Sequence, residues 1–269
     1  MSSSPFSSFI LDHPSPYPFY VFAGPCSAET EEQTLETARA LRAGGICFFR
    51  ASLWKPRTRP GSFEGVGEQG LPWLVRVKEE LGMQVATEIA SPQHAEAALK
   101  AGLDTFWIGA RTTASPFAVS ELAEALAGTD ARILVKNPLN PDIDLWEGAL
   151  LRLQQVGVKS IGAIHRGFST YAPGVYRNAP LWQLPIELQR RHPDLTIFVD
   201  PSHMAGRREL VPLLCQVGLE MNFAGLMVET HPTPSMAWSD AAQQLTPKEL
   251  LSLLDRLQLH PSTTSEEER

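Results

Sequence analysis

Short runs of β-branched and aromatic residues alternate with amphipathic or Ala- and Leu-rich runs about eight times along the chain, the pattern of parallel strands joined by crossover helices. The apolar runs predict strands at Tyr20–Ala23, Ile46–Arg50, Gln84–Thr87, Thr105–Ile108, Ile133–Lys136, Ser160–Ile164, Thr196–Val199 and Gly225–Glu229. Between them, Ser91-Pro92 and Ser115-Pro116 each place a capping hydroxyl before a proline suited to the first helical position. Thr246-Pro247-Lys248-Glu249 forms a capping box ahead of the Leu250, Leu251, Leu254, Leu257 stripe, and Gly102 and Gly157 read as helix stops. Eight strand–helix units in roughly 250 residues predict an α/β fold of the (β/α)8 TIM barrel type, with a doubly wound open sheet as the alternative.

The residues at the C-terminal ends of the predicted strands favour the barrel. These ends read Pro25-Cys26-Ser27, Lys55-Pro56-Arg57, Thr87-Glu88, Arg111, Lys136-Asn137, His165-Arg166, Asp200-Pro201-Ser202-His203 and Glu229-Thr230-His231. Each carries a reactive or charged group beside a buried strand, where charge costs desolvation unless it is paired or used. Barrel enzymes collect their chemistry at this end. Outside residues 19–258, the Ser- and Pro-rich residues 1–18 predict an extended arm, and the acidic residues 259–269 a disordered tail or linker stub.

Charge and composition narrow the partners. A formal net charge of −7 argues against nucleic acid as the main partner. No apolar run approaches the roughly 18 residues that cross a bilayer, and the first basic residue is Arg39, so a cytoplasmic protein with no membrane partner is expected. Cys26, Cys47 and Cys215 are too few and too scattered for a disulfide framework.

The most concentrated chemistry lies between Trp54 and Gly65, where Lys55, Arg57 and Arg59 are set among Pro56, Pro60 and Gly61. Cations crowded on a stiff loop repel one another unless an anion sits among them. Arg50, Arg111, Lys136 and Arg166 extend the set. Any one of them alone reads as a surface ion pair, whereas convergence on one barrel mouth suits a ligand with several negative charges. Metal-ligand types stand at Cys26, His165, His203, Glu229, His231 and Asp240. A thiolate, imidazole and carboxylates together suit Mn, Fe, Co or Zn better than Mg or Ca. Taken singly, Cys26 reads as a buried thiol and His203 equally as a general base. Glu88 and Asp200 suit ordering a water or a sugar hydroxyl, or else pairing with the nearby cations. Gly65-Val66-Gly67-Glu68-Gln69-Gly70 matches a dinucleotide fingerprint, but no strand runs into its first glycine, and the match is set aside.

Together, Gly24-Pro25-Cys26-Ser27, Lys55-Pro56-Arg57-Thr58, Ile108-Gly109-Ala110-Arg111, Val135-Lys136, Asp200-Pro201-Ser202-His203 and Glu229-Thr230-His231 through Ser239-Asp240 resemble the 3-deoxy-D-arabino-heptulosonate 7-phosphate (DAHP) synthases. These are the first enzymes of the shikimate pathway to the aromatic amino acids. The resemblance is to the single-barrel type, in particular a clade whose barrel precedes a chorismate mutase domain. The chain stops shortly after the eighth predicted helix, so that domain is expected to be absent.

The resemblance implies a metal-dependent condensation of phosphoenolpyruvate with erythrose 4-phosphate. It implies one divalent metal ion on Cys26, His203, Glu229 and Asp240, and phosphoenolpyruvate on Arg50, Lys55, Arg111, Lys136 and Arg166. Arg57 and Thr58 are expected to anchor erythrose 4-phosphate, with Asp200 at its sugar end. Lys55, Glu88 and His203 are expected at the reacting centre, and a homodimer as the assembly. The sister enzyme that makes the eight-carbon 3-deoxy-D-manno-octulosonate 8-phosphate is the alternative. Its relatives carry Lys-Ala-Asn-Arg where this chain has Lys55-Pro56-Arg57-Thr58. An inactive scaffold barrel is the alternative of another class.

Overall fold

A computed structural model describes residues 6, 9, 11, 15–57, 60–171 and 174–258. Thr58 and the expected tail at 259–269 lie outside the described residues, as does most of the expected arm. Eight parallel strands close into a barrel in chain order. They are β1 Tyr20–Gly24, β2 Phe48–Arg50, β3 Gln84–Ile89, β4 Thr105–Ile108, β5 Arg132–Lys136, β6 Ser160–His165, β7 Thr196–Val199 and β8 Gly225–Glu229. The open-sheet alternative is therefore excluded, since β8 pairs with β1 from Tyr20↔Gly225 to Gly24↔Glu229.

Helices α1 Glu31–Ala43, α2 Leu71–Leu81, α3 Pro92–Lys100, α4 Ala110–Thr113, α5 Pro116–Leu126, α6 Ile143–Gln155, α7 Gln183–Arg191, α8 Pro201–Ala205, α9 Val211–Glu220 and α10 Pro247–Gln258 form the crossovers and their extensions. The predicted caps hold: Ser91 accepts from the His94 amide, Ser115 from the Ala118 amide, and Thr246 and Glu249 exchange both bonds of the capping box. Gly65, the first glycine of the false fingerprint, has φ +99°, and a Cβ there would overlap the Leu53 carbonyl. It serves the close return of the β2 loop, where Lys55 N donates to Glu64 O and Gly67 N to Leu53 O.

Strand alternation builds two ranks of side chains. Pointing inward, Phe22, Phe48, Ala86, Trp107, Leu134, Ile164, Phe198 and Met227 contribute one residue from each strand to the barrel interior, and Phe9 joins them. Phe9 packs edge-on against Phe198, and its amide donates to Thr196 Oγ1 at the start of β7. Two residues further along each strand come Gly24, Arg50, Glu88, Gly109, Lys136, Arg166, Asp200 and Glu229. Because side chains repeat their direction every second residue, the rank above the apolar interior is largely ionic.

Candidate active site

Six charged side chains and two glycines make up that upper rank. A Cβ at Gly109 would overlap the Glu88 carboxylate where it now stands, so a side chain there would displace Glu88. Arg50 Nη1 donates to Glu229 Oε1 at 2.9 Å, and Lys136 Nζ to Asp200 Oδ2 at 2.8 Å, both pairs buried. Glu88 accepts from Ser52 Oγ and from the Trp107 indole N–H.

Loops bring the remaining groups over this rank. The Lys55 loop is held at its entry by Trp54, whose ring lies parallel to His94 with centroids 4.3 Å apart. The Asp200 carboxylate accepts the His203 amide and caps α8, which sets His203 beside the strand ends, its Nδ1 2.8 Å from Asp200 Oδ2. After β8 the chain returns on itself: Leu245 N donates to Glu229 O and His231 N to Leu245 O. Asp240 lies on this return with φ +49°, a left-handed conformation uncommon for a non-glycine residue.

Cys26, Glu229 and Asp240 converge, with one ligand atom from each within 4.8 Å of the others. His203 stands at their edge, its Nε2 3.7 Å from Glu229 Oε1. The Cys26 thiol donates to Asp240 Oδ2 at 3.2 Å and accepts from Lys55 Nζ at 2.8 Å. Each of these groups has its own outer support. Gln243 Nε2 donates to Glu229 Oε2, and Arg177 Nη1 to both Asp240 Oδ1 and Gln243 Oε1. The Cys26 amide donates to Gln244 Oε1. Ligands braced this way are typical of metal centres.

Burial and charge oppose one another throughout. Burial disfavours ionised Asp200, yet His203 and Lys136 outweigh it and hold the carboxyl well below the usual carboxylate range. Glu229 is lowered in the same way by His203 and Arg50. For Cys26, burial and then the Glu229 charge push the thiol up, and the Lys55 ammonium does not cancel them. Burial depresses Lys55, but Cys26, Glu229 and Asp240 reverse the sign and raise it. Arg166 is pushed down to about 10 by burial and remains a cation at neutral pH.

Beside this cluster a polar cavity of about 280 Å³ is lined by Lys55, Arg57, Arg111, Lys136, Arg166 and Arg177, with Glu88, His203 and Asp240 also in its lining. Six cations around so small a volume describe a receptor for phosphate or carboxylate groups. A larger cavity of about 800 Å³ between α9 and α10 is mainly apolar and carries none of these groups.

The DAHP synthetase I family profile matches residues 15–263. The chain belongs to the DAHP synthetase I family. Phospho-2-dehydro-3-deoxyheptonate aldolase of Thermotoga maritima is 33% identical over 231 residues, covering 84% of this chain and 65% of that protein. This chain thus spans just under two thirds of that relative's length. A 2-dehydro-3-deoxyphosphooctonate aldolase of Polaromonas naphthalenivorans is 32% identical over 259 residues, covering 89% of each chain. Among solved structures, the Thermotoga maritima DAHP synthase superposes with a TM-score of 0.83 at 29% identity, covering 94% of this chain and 72% of that one. Its truncated form gives 0.79 at 27%, covering 94% and 91%.

Within this family frame, most residues singled out by sequence come together. Lys55, Arg57, Glu88, Arg111, Lys136, Arg166 and His203 line the cavity, while Cys26, Arg50, Asp200 and Glu229 are buried behind that lining. Both Asp200 oxygens are engaged with protein groups. Two metal-ligand types stand apart from the cluster. His165 comes directly after inward-facing Ile164 and so points outward, against Trp146, Phe168 and Trp182. His231 accepts from the Thr233 amide and faces Glu29. Sequence reasoning missed Arg177, Gln243 and Gln244, together with Asn178, whose Oδ1 accepts from Arg166 Nη1 at 2.7 Å, and gave His94 no role.

No helix among the described residues is long and apolar enough to cross a membrane.

Proposed function

We propose that the chain condenses phosphoenolpyruvate with erythrose 4-phosphate, forming DAHP and releasing phosphate, with one divalent metal ion bound. The carrying observation is the contact of two unlike sites: a cavity ringed by cations and a Cys26, Glu229, Asp240 donor cluster, joined through Lys55. Soft thiolate with carboxylate and imidazole donors fits Mn, Fe, Co or Zn, and the bracing by Gln243, Arg177 and Gln244 supports that fit. Cys26, Glu229, Asp240 and His203 would hold the ion, which supplies Lewis-acid polarisation of the aldehyde when bound.

The chain's own residues do the rest. Lys136, Arg166 and Arg111 neutralise the phosphate and carboxylate of phosphoenolpyruvate, with Arg50 buried behind them adding to the field. Arg57 meets the phosphate of the aldose, and Thr58 beside it is proposed to share that anchor. Gathering charges that repel one another in water is a positioning task, and it lowers the barrel's own cation repulsion as the substrates bind. Lys55 sits between donor cluster and cavity, placed to hold a proton near the reacting carbonyl. Glu88, steered by Ser52 and Trp107, is placed to orient the water that adds to the former enol carbon. Asp200 orients Lys136 and His203 through its contacts with both.

A second reading, condensation with arabinose 5-phosphate, is favoured by the phosphooctonate aldolase relatives, which match over 89% of their length. Phosphate release from phosphoenolpyruvate, measured with each aldose in Mn²⁺ and in chelator, separates the two. Turnover with erythrose 4-phosphate that chelator abolishes supports the proposal. Preference for the five-carbon aldose moves the chain to the second reading, and no turnover with either overturns both.

A further inference from the structure

Trp107 is the one hydrogen-bond donor side chain in the nine-residue apolar cluster inside the barrel, counted over the described residues. It lies on β4 in register with Glu88 of β3 and is fully buried. Its ring faces two cations from other strands: the Arg50 guanidinium carbon is 4.6 Å from the ring centroid and Lys136 Nζ 5.6 Å. Its indole N–H donates to Glu88 Oε2 at 3.3 Å. Arg50 leans on this face more than an exposed arginine would, because its Nε is buried without a hydrogen-bond partner among the described residues.

We propose that Trp107 is a positioning residue, which fixes the spacing of Arg50 and Lys136 through the face of its ring and the direction of Glu88 through its edge. Each of these cations already has one buried carboxylate partner, and a quadrupole turned toward both adds attraction without adding a further counter-charge. The small neighbour Ala86 and the absent side chain at Gly109 leave room for the indole and for Glu88 above it. The inference rests on the proposed phosphoenolpyruvate site, and it assigns Trp107 no contact with substrate.

Trp107→Leu and Trp107→Phe separate face from edge. In the full chain with Mn²⁺, calorimetric titration of phosphoenolpyruvate is expected to weaken by about ten-fold in Trp107→Leu, equivalent to about 1.4 kcal/mol. The KM for erythrose 4-phosphate should move by less than about two-fold, because its proposed anchor at Arg57 is not on the ring. Trp107→Phe keeps an aromatic face and should bind phosphoenolpyruvate nearly as the parent does, while kcat falls as Glu88 loses its donor. A merely space-filling tryptophan would lower the melting temperature of both variants and leave these parameters alone, and that outcome overturns the proposal. Should Trp107→Leu not fold, an unchanged kcat in Trp107→Phe would overturn it equally. Crystal structures of the variants decide the matter without substrate: Arg50 and Lys136 displaced by about 1 Å or more support positioning, and unmoved side chains refute it. If the parent protein binds no phosphoenolpyruvate, the functional reading fails while this structural comparison still gives its answer.

Discussion

Lys55 Nζ lies 2.8 Å from the sulfur of Cys26, so a cation of the cavity lining touches the donor cluster directly. The ammonium carries a positive charge into a group of two carboxylates and a thiol. Even so, burial and the Glu229 charge keep that thiol protonated at neutral pH, because one ammonium does not outweigh them.

A divalent ion coordinated there must therefore expel the thiol proton. Titration of Mn²⁺ in two buffers of different ionisation enthalpy should reveal release of about one proton per ion at pH 7.5. Cys26→Ala should abolish that release and weaken the ion's binding. Equal heats in both buffers would exclude Cys26 as a ligand.

Arg177 and Gln243 should act on the same ion without touching it. Replacing Arg177 by Met, or Gln243 by Ala, frees a carboxylate of the cluster from its brace, and affinity for Mn²⁺ should fall by about 10- to 100-fold. Competition with a chelating dye checks this apart from activity. Affinity unchanged in both variants would reduce these contacts to loop packing.

His165 gives the fold a dependence on acid. Burial pushes its pKa down to about 3, against the smaller opposing pull of the Pro180 backbone. Between that value and about 6.5, the unfolded chain binds a proton that the folded chain refuses. Stability contributed by the neutral ring is thus complete above about pH 6.5 and is lost as pH falls, by about 1.4 kcal/mol per pH unit for this one group. Urea unfolding of the parent and of His165→Gln from pH 4.5 to 7.5 should give a shallower slope in the variant. Parallel slopes would show that other groups carry the dependence.

Gly65→Ala should destabilise the protein by about 1–3 kcal/mol, since alanine is strained at φ +99° and its methyl would overlap the Leu53 carbonyl. Thermal unfolding measures it. A glycine kept for nucleotide binding would instead show an unchanged melting temperature.

The barrel is legible in the sequence because each strand announces itself twice, by an apolar run and by the reactive or charged residue that follows within a few positions. The apolar run of the second strand begins at Ile46, whereas β2 begins at Phe48, since Ile46 packs with the outer helices and the pairing to β3 starts only at Phe48↔Gln84. Residue type alone groups His165 with the metal ligands, although the parity of Ile164 already turns it away from the mouth. Arg177 and Gln244 carry no comparable signal. They sit on irregular loops and meet partners 63 and 218 positions distant, and pairings of that range leave no periodicity in a single sequence.

The two-rank construction also bears on how this protein can change. Substitutions walked along β2, β3, β5 or β8 should sort with a beat of two, one position altering melting temperature and the position two further on altering chemistry. Every site residue in the upper rank stands two positions beyond a buried residue of the apolar cluster inside the barrel. New specificity is therefore easiest to explore on the loops carrying Lys55, Arg177 and Asp240, where the backbone answers to hydrogen bonds that a single replacement can redraw.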